Sequence, residues 1–134
     1  MKIGFLVEGN GDKAAVEAVA RRLLPRGVRF HTIRLGGKPA LGTAYTSVFD
    51  LLGMGYDHVV ILINALSSDE RTAGDDRIRV ESGLAEHRLQ EHATVIVAVP
   101  DTAAWTKEGA AEANASLKRF ASVLSRLTSA VAKR

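Results

Sequence analysis

The sequence contains no cysteine, which excludes disulfides and thiolate–metal centres. Aromatic residues make up only 5% of its 134 residues. No apolar run approaches the roughly 18 residues that would suggest a membrane-spanning helix. The opening MKIGFLVEG has a single Lys and no small-residue cleavage site after a longer apolar core. It reads as a strand rather than a signal peptide, so the expected location is the cytoplasm. No internal repeat, low-complexity stretch or linker divides the chain, and its length suits one domain, residues 1–134, with a single well-buried core.

Several chemistries are also missing. There is no G-K-[S/T] phosphate loop, no nucleophile elbow and no Ser-His-Asp arrangement. His31, His58, His87 and His92 lack metal-ligand spacing and read as structural or exposed. Basic residues are scattered, with no Lys/Arg run interleaved with aromatics. The net charge of +3 and a pI near 9.5 lean mildly toward an anionic partner such as nucleic acid. A charge of this size is also ordinary for a protein surface.

What is present is a regular alternation of strand-like and helix-like segments. Strands are expected near residues 2–8, 28–35, 58–64 and 94–99. His58–Ile63 is the most hydrophobic run and, with Thr94–Val99, reads as a strand buried on both faces of a parallel sheet. Val16, Val19, Ala20 and Leu23 repeat at helical spacing, and Pro25 and Gly27 end that helix. A second helix is expected from Pro39 to Leu52. A weaker third carries Ile78, Ala85 and Leu89 inward, after a polar loop from Ser67 to Asp76. A long final helix runs from about Ala110 to Ala132, with Leu117, Phe120, Ala121, Leu124, Leu127 and Val131 as its stripe. The order β-α-β-α-β-α-β-α implies an α/β, Rossmann-like three-layer fold with a parallel four-stranded sheet and helices on both faces. The strands ending at Glu8 and Asn64 are expected side by side.

Gly9-Asn10-Gly11-Asp12-Lys13-Ala14 follows a strand and opens a helix, and it matches the dinucleotide pattern G-x-G-x-x-G/A. Glu8, however, directly precedes the first glycine and would repel a pyrophosphate. The second strand ends Arg34-Leu35, without the acid that would bind a ribose. A small Rossmann-like nucleotide binder therefore stands as an alternative only.

The stretch Phe5-Leu6-Val7-Glu8-Gly9-Asn10-Gly11-Asp12 resembles the first motif of the Toprim fold: an apolar strand, Glu-Gly, then Asp opening the first helix. Gly36-Gly37-Lys38, Gly55-Tyr56-Asp57, Val99-Pro100 and Trp105 follow in the order seen in small standalone OLD-type Toprim proteins. The resemblance thus covers nearly the whole chain. It implies nucleic-acid metabolism, with Mg²⁺-dependent nuclease-like phosphoryl transfer in a prokaryotic defence or repair setting. It assigns Glu8 as the catalytic carboxylate, in company with a D-x-D pair after the third strand. Mg²⁺ takes oxygen ligands, commonly one or two carboxylates plus water and phosphate.

This chain departs from that pattern. The D-x-D position reads Asn64-Ala65-Leu66; Asn64 offers a neutral oxygen and Leu66 none. Ala103 and Ala104 stand where an acid is common before the Trp. The expected metal set is therefore Glu8, Asn64, Asp12 and, from the following loop, Asp69, with weak or absent Mg²⁺ binding. Glu70, Asp75 and Asp76 could fold in from the same acidic loop, although an exposed acidic loop is usually just solvated. A catalytically inactive Toprim-like binding or regulatory module is the alternative function. Other residues also have plainer readings: Asp12 as a helix cap, Asn64 as a turn cap, Lys38 as a solvated loop lysine rather than a phosphate contact, and Trp105 as a plug beneath a loop rather than a base-stacking platform. The last turns of the final helix, with Val131, are expected to serve a homodimer or a larger protein partner.

Overall fold

The computed structural model describes residues 1–65 and 70–132, without the side chains of residues 10, 70–73 and 130–132. Four parallel strands form its sheet: β1 (Lys2–Val7), β2 (Arg29–Arg34), β3 (His58–Asn64) and β4 (Ala93–Ala98), in the order β2-β1-β3-β4. The helices are α1 (Asn10–Leu23), α2 (Ala44–Gly53), α3 (Glu70–Glu86), α4 (Ala110–Ala113) and α5 (Ala115–Ala132). The architecture is the expected Rossmann-like three-layer α/β fold. No helix among the described residues is long and apolar enough to cross a membrane.

The period-2 alternation of the strands divides the core in two. Ile3, Phe5 and Val7 of β1 join Val60 and Leu62 of β3 against α1 and α5. Leu6 of β1 joins Val59, Ile61 and Ile63 of β3 against α2 and α3. Gly4 lets α2 approach: a Cβ there would lie 2.7 Å from Leu51 Cδ1. Trp105 is fully buried, as expected for a plug. Its ring stacks on Phe120 with centroids 4.9 Å apart, and its Nε1 donates to Ser116 Oγ at 3.0 Å.

Three expectations need correction. The segment after Pro39 begins as a 3-10 turn, Lys38–Thr43, and becomes α-helical only at Ala44. The final helix is broken at Asn114, whose Oδ1 accepts from Leu117 N as the N-cap of α5 and whose Nδ2 donates to Val99 O. Such a capping side chain competes with helix continuation. Finally, α3 turns Asp76, Val80 and Leu84 inward and leaves Ile78 64% exposed. Ala85 is exposed too, while Leu89 is buried as expected. The 76-80-84 face can accommodate an acid because Asp76 finds a partner inside, Lys38 Nζ at 3.1 Å. Gly83, which weakened the helical pattern, lies close against the Tyr45 ring.

The strand order reverses between β1 and β3. Ligands of open α/β sheets bind outside the carboxyl ends of the strands at such a switch point. Here that point is where Glu8 and Asn64 meet.

Candidate functional site

Glu8 is the first residue beyond β1 and is 6% exposed. Its Oε2 accepts from the Asn64 backbone N–H at 3.2 Å, although 56 residues separate the two in sequence. Its backbone oxygen accepts from Gly36 and Gly37 N–H, at 3.2 and 2.8 Å. Both glycines have positive φ, 93° and 104°, a region that side chains with a Cβ adopt with strain. They turn the chain back over the end of β1 and so deliver Lys38.

Lys38 is the largest difference from expectation. It is no solvated loop lysine. Its Nζ donates to Glu8 Oε1 at 2.9 Å, to the Asn64 carbonyl at 2.9 Å and to Asp76 Oδ2 at 3.1 Å. Burial pulls its pKa down, but hydrogen bonds to Glu8 and Asp76 and their charges outweigh that and hold it above the usual 10.5. Arg79, less than one turn beyond Asp76 on α3, donates to the Lys38 backbone oxygen at 2.7 Å. The lysine is therefore held at both ends.

Asp12 lies beside this cluster. Its Oδ2 accepts from Gly9 N–H at 2.9 Å, closing the start of α1 as a capping box does. Its Oδ1 accepts from Asn64 Nδ2 at 2.9 Å and from Thr102 Oγ1 at 2.6 Å. Asp12 is thus the helix cap that was expected and also part of the site. The Asn64 Oδ1 accepts from Thr102 N–H at 3.0 Å; the turn that Asn64 was expected to cap runs into residues outside the described ones. Thr102 is 1% exposed, and the loop after β4 is pinned to β3 and α1 through it. The Gly9 N–H, which a dinucleotide pyrophosphate would want, is already used by Asp12.

Glu8, Asn64 and Asp12 therefore come together, whereas Asp69 and Leu66 lie outside the described residues. Asp76, one of the acids that could fold in after the third strand, does join the arrangement; Lys38, Arg79 and Thr102 complete it, and of these Arg79 and Thr102 were not singled out from the sequence. Asp76 carried a usable signal, since it continues the Val80–Leu84 spacing inward. Thr102, two residues after Pro100, carried none. Asp75 and Asp76 belong to α3 and not to a loop.

The donors can be tested against Mg²⁺. Both oxygens of Glu8 are engaged by Lys38 and the Asn64 N–H. Both oxygens of Asp12 are engaged by Gly9, Asn64 and Thr102, and the Asn64 amide oxygen by Thr102. No group of three or more His, Asp or Glu among the described residues is arranged to hold a metal. Among the described residues, the donor set as folded does not fit a divalent cation. Beside it opens a cleft of about 520 Å³ lined by Glu8, Gly9, Arg34, Leu35, Gly36 and Gly37. No protein-family model, curated protein or solved structure matches the chain.

Proposed function

We propose that the chain is a Toprim-like module of nucleic-acid metabolism that binds a phosphodiester backbone at the carboxyl edge of its sheet and cuts it weakly or not at all. The observation that carries this reading is the meeting of Glu8, Asn64 and Asp12 at the switch point with their side-chain oxygens already engaged by protein donors. The positions that the Toprim resemblance gives to metal ligands converge, while the chemistry those positions would need is blocked.

The charge distribution supports binding at the rim. Glu8, Asp12 and Asp76 against Lys38 leave the centre formally negative, at three acids and one base. Arg34 lines the cleft, Arg79 holds the Lys38 loop, and Lys13 follows Asp12 in α1. Such side chains neutralise phosphates without reading bases, so binding is sequence-independent and weakens with salt.

Fluorescence anisotropy with labelled single- and double-stranded DNA and RNA tests this. Expected are binding at low salt, loss of affinity as salt rises, and about tenfold weaker binding for Arg34→Glu. Absence of binding to every probe at low salt would overturn the reading.

A further inference from the structure

We infer that Lys38 is the resident cation of this site, its ammonium standing where a divalent metal would otherwise sit among Glu8, Asp76 and the Asn64 carbonyl. The inference rests on reading Glu8 and Asn64 as the former metal position, but not on nucleic-acid binding.

An ammonium has three N–H donors and no acceptor. Lys38 places one on each of three oxygens from three separate elements: the end of β1, the end of β3 and the first half of α3. Two carboxylates and a carbonyl are also the donor types a hard divalent cation selects. Glu8 and Asp76 are 6% and 9% exposed, and buried carboxylates require a counter-charge. Lys38 supplies it, and no other base is bonded to either carboxylate among the described residues.

The delivery of the lysine is built into the backbone. Gly36 and Gly37 reverse the chain, their N–H groups bond to Glu8 O, and Arg79 fixes the Lys38 carbonyl. A divalent ion brought to the same oxygens would meet a positive charge at hydrogen-bond range. Ammonium and metal therefore exclude one another, and the ammonium is tethered to the chain beside these oxygens.

The experiment is a Mn²⁺ titration of the full chain by calorimetry, without nucleic acid, on the parent, Lys38→Met, Lys38→Arg and Lys38→Met/Glu8→Gln. Expected is a gain in Mn²⁺ affinity of about tenfold or more for Lys38→Met, no gain for Lys38→Arg, and loss of the gain in the double variant. Two results would overturn the inference: equal Glu8-dependent Mn²⁺ binding by parent and Lys38→Met, or no gain in a folded Lys38→Met. Should Lys38→Met fail to fold, trace acetylation of the parent and Glu8→Gln, read by mass spectrometry, decides the matter. Lys38 is expected to be protected in the parent relative to Lys2 and Lys107 and to become more reactive in Glu8→Gln; equal reactivity in both would overturn it. Failure of the anisotropy experiment leaves these outcomes unaffected, and the reverse holds too.

Discussion

Asn64→Asp would replace a neutral donor with a charge beside Asp12. In the parent, Asn64 Nδ2 donates to Asp12 Oδ1 at 2.9 Å while Asn64 Oδ1 accepts from Thr102. The aspartate keeps the Thr102 bond but turns its second oxygen on Asp12. Two unit charges at that separation repel by about 6 kcal/mol at an effective dielectric near 20, before the side chains relax. Rotation away, water entry and uptake of a proton relieve part of this, so the net loss at neutral pH is about 2–4 kcal/mol. Protonation of either carboxylate removes the repulsion, so the deficit is full near pH 7 and shrinks toward about pH 4. Urea unfolding of parent and variant across that range measures it. A variant within about 0.5 kcal/mol of the parent at neutral pH, with a flat pH dependence, would refute the Asp12–Asn64–Thr102 account.

Two further predictions concern the frame around the site. Gly4→Ala should destabilise by about 1–3 kcal/mol, because its Cβ meets Leu51; Gly4→Ala/Leu51→Val should recover part of the urea midpoint. Burial, then the charges of His92 and Arg126, holds the His58 imidazole below its usual 6.5. Its contribution is therefore present above 6.5 and lost as pH falls through the lowered value. Chemical denaturation between about pH 7 and 5 should show this loss in the parent and a flatter curve in His58→Phe.

The fold was legible because its strands carry their own evidence. Val59 to Ile63 is apolar at every position, and a run this short and β-branched points to a strand covered on both faces. The meeting of Glu8 with Asn64 was legible too, since it follows from strand order. The centre of the site was not. Lys38 reads as a loop residue until two positive-φ glycines and Arg79 fold it inward, and no local pattern announces a lysine as counterion to acids 30 and 38 positions away. The inner face of α3 was misjudged for a related reason: hydrophobic spacing favours Ile78, whereas the buried stripe begins at the charged Asp76. Asn114 was hidden within an apparently continuous helical pattern that its capping side chain interrupts. The side chain of Val131, on which a dimer or partner contact was expected to rest, lies outside the described residues.

On the proposed reading, this switch point keeps the layout of a phosphoryl-transfer centre while the side-chain oxygens of Glu8, Asp12 and Asn64 are engaged by the protein itself. Nicking of supercoiled plasmid by the purified chain with Mg²⁺ or Mn²⁺ tests it most directly, with Glu8→Ala as the control. No nicking above background is expected from the parent or from Glu8→Ala. Robust metal-dependent nicking by the parent, abolished in Glu8→Ala, would contradict it and show that Glu8 is released to a metal during turnover.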